Sequence, residues 1–155
     1  MPSDALRIEI GDGAPFNTYV ERLHTKTHLI RIGVVNGIQG KAVTNCQLRL
    51  EQITGSSSER CPITIKQNFI INGGVTEYIP LAEFDERINK SRPAPSKPGL
   101  IRLHFPLTRP LSNGISYLNA GSDELTWLAT SAETPPARQK CRLVLEDGFL
   151  SLQRL

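Results

Sequence analysis

Apolar and polar residues alternate with a period of two over much of this chain, the pattern a strand shows when one of its faces is buried. Between Thr27 and Asn36, Ile30, Ile32 and Val34 fall on one side while Arg31 and Gly33 fall on the other. Asn36-Gly37 and Gln39-Gly40 then mark a turn, after which Ala42, Cys46, Leu48 and Leu50 share one face and Asn45, Gln47, Arg49 and Glu51 the other. Two adjacent antiparallel strands are predicted from this.

Gly-Ser-Ser-Ser within Thr54 to Arg60 predicts an exposed loop, and Pro62 to Ile71 an extended run anchored by Ile63, Ile65 and Phe69. Asn72-Gly73-Gly74 is a tight-turn signal, because Asn and Gly tolerate positive φ, and Val75 to Pro80 reads as the returning strand. Leu81, Phe84 and Ile88 recur at i, i+3 and i+7, so the stretch near 81–89 is the one candidate for a short helix, with a loop as the alternative. Pro93, Pro95 and Pro98 make Ser91 to Gly99 a surface excursion between two halves of one domain.

Leu100 to Phe105 and Leu125 to Thr130 resume as strands, separated by a turn-rich Pro106 to Gly114. Asp147-Gly148 sits between Gln139 to Glu146 and Phe149 to Arg154 and gives the clearest hairpin, with Cys141, Leu143 and Leu145 on one face. Ile71 to Ala82 aligns without gaps on Leu118 to Ala129, which fits two strand-turn-strand corners solved alike. The whole of 1–155 is therefore expected to be a single all-β domain, an antiparallel sandwich.

The segments Ile30 to Asn36 and Ala42 to Glu51 resemble the B and C strands of bacterial immunoglobulin-like domains of the cell-adhesion-related kind. Leu118-Asn119-Ala120-Gly121 before Glu124-Leu125 is similar to the glycine corner that precedes a later strand in those domains. The resemblance covers about a third of the chain and implies an immunoglobulin-like sandwich. It implies little about activity, because such folds host many unrelated functions.

Composition narrows the function classes. Eighteen basic and 15 acidic side chains leave a formal charge of +3, and the basic residues are interspersed with acids, so no counterion-releasing face for nucleic acid is expected. No stretch approaches the ~20 apolar residues of a membrane-spanning helix. The start lacks the basic and apolar segments of a secretory signal, which reads as cytoplasmic for the chain as written. If the chain is an excerpt of a longer precursor, the reading becomes periplasmic or cell-surface.

Candidate chemistry is sparse. Cys46, Cys61 and Cys141 form no C-x-x-C pair, and His24, His28 and His104 lack the converging ligands a metal needs, so neither metal nor cofactor is predicted. Cys46 and Cys141 fall on apolar faces and are expected in the core on facing or neighbouring strands, with an inter-sheet disulfide between them as the alternative. No nucleophile elbow or phosphate loop occurs, and the adjacent acids Asp85-Glu86 and Asp123-Glu124 point apart whether on a strand or a short helix. No catalytic residue is named, and the binding residues stay unassigned.

The expectation is a non-catalytic interaction or structural module, part of a larger bacterial surface or envelope protein. Its partner would be a protein engaging a sheet edge or the loops at Ser56 to Arg60 and Ser91 to Gly99. The alternative is a carbohydrate-binding module using Tyr19, Tyr78, Tyr117 or Trp127 as a stacking platform.

Overall fold

The computed structural model describes residues 5–11, 13–22, 25–54, 62–85, 100–103, 116–119, 124–146 and 149–155. Within them the chain is all-β, and two antiparallel sheets pack face to face as a sandwich. The strands are β1 (Leu6–Glu9), β2 (Asn17–Arg22), β3 (Thr25–Asn36), β4 (Val43–Thr54), β5 (Ile63–Ile71) and β6 (Thr76–Asp85), then β7 (Leu100–Leu103), β8 (Ser116–Asn119), β9 (Glu124–Thr130), β10 (Ala137–Glu146) and β11 (Phe149–Arg154).

In the first sheet the long β3 is central. β1 and β2 pair in succession along one of its edges, at Asn36 to Gly33 and at Ile30 to Thr25, and β6 runs along the other. The second sheet has the order β11-β10-β9-β4-β5, and β7 pairs with β8 separately. The core between the two sheets takes Leu6, Ile8, Ile30, Ile32, Val34, Ile79 and Leu81 from the first. The second supplies Leu48, Leu50, Leu125, Trp127, Cys141 and Leu143, among others. The alternation expected for 30–34, 46–50 and 141–143 is thus the alternation of the core face.

Three expectations need correction. The stretch near 81–89 is not helical where it is described: Leu81 to Asp85 continues β6, with Ala82, Glu83, Phe84 and Asp85 opposite Ile30, Leu29, His28 and Thr27. Nine residues make a marginal helix on their own, and a twelve-residue neighbour offers a full ladder of backbone bonds instead. Residues 86–89 lie outside the described part, as do 55–61 and 91–99.

Secondly, the turn after Asn36 does not join adjacent strands, because β3 and β4 belong to opposite sheets, and the turn at 72–74 likewise carries β5 of the second sheet into β6 of the first. Both are corners between layers. The Asp147-Gly148 turn lies outside the described residues, but its flanking strands do pair as a hairpin, with Glu146 opposite Phe149.

Thirdly, Val43 rather than Ala42 enters the core. Asn45 has φ 50°, and the register of β4 against β5 shifts between Val43 and Cys46, so the bulge reverses which side chains face inward. Asn68, at φ 58°, lies at a second irregularity of the same pair.

Candidate functional site

The two flanks of the sandwich are built differently. On the β5/β6 flank the layers are tied by Asn36, which is fully buried. Its amide nitrogen donates to the carbonyls of Lys41 (2.7 Å) and Ile71 (3.0 Å), and its Oδ1 accepts from the Ile38 N–H (3.0 Å). Its backbone accepts from the Gly74 N–H and donates to the Val75 carbonyl. One side chain thereby satisfies both corners. Gly73 is packed so closely that a Cβ would lie 2.6 Å from the Gly40 nitrogen. Farther along, the Lys66 ammonium reaches Glu77 at 2.8 Å.

On the opposite flank the edge strand β1 faces β10, and an open cleft of about 410 Å³ lies between them. Alternation along β1 sends Leu6 and Ile8 into the core and leaves Arg7 and Glu9 outside. β11 reaches only to Cys141 on β10, and the Leu155 N–H bonds the Lys140 carbonyl, so Ala137 to Gln139 line the cleft above its end. The Arg154 guanidinium crosses from β11 to the Ile8 carbonyl (3.2 Å). That bond fixes the lateral direction of Ile8's backbone groups: they point away from β3, and by the alternation of an antiparallel pair so do those of Leu6.

Among the described residues, the charged ones that line this cleft are Arg7, Glu9, Arg138 and Arg154. Arg7 contacts Glu9 at 3.5 Å, and Arg138 grips Glu51 through Nε (3.0 Å) and Nη2 (3.3 Å). Three residues before the Pro136 wall, the Glu133 carboxylate accepts from the Thr44 hydroxyl (2.5 Å) and the Thr44 N–H (2.7 Å). Those bonds, the hydroxyl foremost, hold the Glu133 carboxyl below its ordinary range.

Among the described residues, those that the sequence singled out do not converge on any site. Cys46 and Cys141 are both buried and both free. They are on neither facing nor neighbouring strands: β4 and β10 share a sheet with β9 between them. Cys141 lies opposite Leu125, while Cys46 lies beyond the Gln47–Thr130 pair, a separation of roughly six strand residues or about 20 Å. A disulfide needs Cα atoms within ~7 Å, so that alternative is closed by topology. Burial pushes the Cys141 thiol up to about 12, with its sulfur accepting the Trp127 Nε1–H at 3.1 Å, and burial likewise raises Cys46.

Cys61, His24, His104 and Asp123 fall outside the described residues; His28 is in β3, and Glu124 pairs with Arg142 at 3.2 Å. Among the described residues no group of three or more His, Cys, Asp or Glu could hold a metal ion, and no helix is long and apolar enough to cross a membrane. Trp127 is 1% exposed, which removes it as a sugar platform. Tyr78 is exposed and packs edge-on against Phe16, ring centroids 5.5 Å apart, above Gly33. Tyr19 and Tyr117 lie in β2 and β8.

The cleft was not legible in advance, since its walls come from opposite ends of the chain. The available local signal was Leu6-Arg7-Ile8-Glu9, an alternation that marks β1 as a half-buried strand. No protein-family model, curated protein or solved structure matches this chain.

Proposed function

We propose that this chain is a non-catalytic, immunoglobulin-like interaction module that holds an extended segment of a partner protein on its β1/β10 flank. The strand order supports the immunoglobulin-like reading. β1/β2, β3 and β6 correspond to an A-B-E sheet, and β5, β4, β9 and β10 to a C′-C-F-G sheet with β11 added beyond G. The observation that carries the binding site is the cleft itself, where the backbone of an edge strand is presented beside a recess of ligand-binding size. An added strand gains affinity from main-chain hydrogen bonds, which a four-residue edge such as β1 supplies in small number. The interaction is accordingly of the transient kind.

Selecting a random-peptide display library on the full chain, then mapping the amide chemical shifts of the selected peptides' complexes, tests this. Perturbations should concentrate in Leu6 to Glu9 and Ala137 to Gln139. Selected peptides that perturb only the outer sheet faces, or a library that yields no binder, would refute the reading.

A further inference from the structure

We propose that Asn72 is a site of spontaneous modification, where the Gly73 nitrogen converts the side-chain amide to a carboxylate through a cyclic imide, and that the fold blocks the same reaction at Asn36. Both residues precede glycine, the neighbour that hinders this ring closure least because it carries no side chain. A third such pair, Asn113-Gly114, lies outside the described residues. The inference concerns the corners of the β5/β6 flank and is independent of the binding reading.

The reaction needs the deprotonated backbone nitrogen of the following residue to attack the Asn Cγ. A C–N bond forms, the side-chain nitrogen leaves as ammonia and a cyclic imide remains. Water then adds across one of the two imide C–N bonds. Opening at the side-chain carbonyl keeps the original backbone and gives Asp, whereas opening at the backbone carbonyl gives isoaspartate, in which the chain runs through the β-carbon.

At Asn36 every group the reaction uses is engaged. Its side-chain nitrogen donates to the Lys41 and Ile71 carbonyls, its Oδ1 accepts from the Ile38 N–H, and the Gly37 N–H that would attack donates to the Ala5 carbonyl at 2.7 Å. The residue is also fully buried, which keeps out the water that opens the imide. Asn72 is exposed, and among the described residues neither its side chain nor the Gly73 N–H makes a hydrogen bond. The bond of this turn runs from the Val75 N–H to the Asn72 carbonyl (3.1 Å) and leaves both reacting groups clear.

The product acts on the joint between the layers. Gly73 is seated so closely on the other corner that a Cβ would lie 2.7 Å from the Ile38 carbonyl oxygen and 2.7 Å from the Lys41 nitrogen. Isoaspartate inserts a methylene into the backbone just before that seat. The bond from the Gly74 N–H to the Asn36 carbonyl (2.9 Å) is the nearest tie to be lost.

The test incubates the full chain at mildly alkaline pH, native and in guanidinium chloride. The tryptic peptides 32–41 and 67–87, which separate the two sites, are followed by mass spectrometry with fragmentation that distinguishes Asp from isoaspartate. In denaturant the two sites should convert at similar rates. In the native chain Asn72 should convert at least about tenfold faster than Asn36, which reacts only in molecules opened at the joint. Amide exchange at Gly74 should be faster in aged than in fresh protein, and in Asn72→Gln, whose ring closure is far slower, it should not change with age.

Native conversion of Asn72 no faster than that of Asn36 overturns the proposal. An equal preference for Asn72 in denaturant would place the cause in the local sequence and overturn protection by the fold. Ageing of Gly74 exchange in Asn72→Gln to the same extent as in the unaltered chain would overturn the effect of the modification on the joint.

Discussion

The two flanks solve the same problem, closing a sandwich at its side, by opposite means. At β5/β6 the chain itself turns from one layer to the other, and a buried amide satisfies the backbone of two corners. At β1/β10 the layers come from distant parts of the chain, and among the described residues a single arginine side chain, Arg154, spans them with one hydrogen bond. A buried polar group that is fully paired adds rigidity, and its loss exposes every partner to the cost of burial without a bond. An exposed guanidinium bond can be traded for water or for a ligand. The rigid flank holds the fold; the exchangeable one is free to bind.

The strongest way to break this contrast is Asn36→Ala. It strands the Ile38 N–H and the Lys41 and Ile71 carbonyls, and should cost about 3 kcal/mol in urea unfolding. Arg154→Ala, on the open flank, should cost about 0.5 kcal/mol or less. Comparable losses from the two would mean the flanks are not mechanically different.

Next in size are the cysteines, which sharpen the comparison by sampling the core away from either flank. Cys46→Ala and Cys141→Ala should together cost roughly 1 to 3 kcal/mol through lost buried volume. Because about 20 Å and a whole strand separate them, the two losses should add within ~0.5 kcal/mol. A larger coupling in the double-mutant cycle would contradict the placement of β9 between their strands. Both thiols should resist alkylation in the native protein at neutral pH, since each is buried and raised.

What the sequence disclosed follows from the range of the interactions. Period-two patterning reports the face of a strand, and it located the core sides of β3, β4 and β10 because Ile30 to Val34, Cys46 to Leu50 and Cys141 to Leu143 put that face against the opposite layer. It carries no information about which strand lies beside which. Asn36-Gly37 and Asn72-Gly73-Gly74 look like hairpin turns, and the same residues serve equally well at corners between sheets. The bulge at Asn45 breaks the parity that placed Ala42 inside, and pairing with β3 overrides the helical spacing of Leu81, Phe84 and Ile88. The cleft joins Arg7 to Arg138 and Arg154, residues that no local window contains together. Asn36 was visible as a turn residue, and its role at the joint depended on Ile71, thirty-five positions away.

The smallest expected effect concerns how the loop between β9 and β10 responds to acid. Glu133 is held by the Thr44 hydroxyl and N–H, and these bonds favour its ionised form, so its folded value lies below the ordinary 4.5. A group depressed on folding contributes stability that is complete above its unfolded value and is lost as pH falls through the folded one. The loss should therefore begin near pH 4.5 and deepen below it. The loop 131–136 that Glu133 anchors ends at the Pro136 wall of the cleft, whereas the neighbouring corner at Lys41 is tied by the neutral Asn36 amide. Acid should thus speed amide exchange at Thr44 before it affects the Asn36 N–H, after correction for intrinsic exchange rates. In Glu133→Gln the acid-dependent part of the Thr44 change should vanish. If Thr44 and Asn36 lost protection together as the pH fell, the Glu133 tie and the Asn36 joint, which both lie near Lys41, would be opening as one unit.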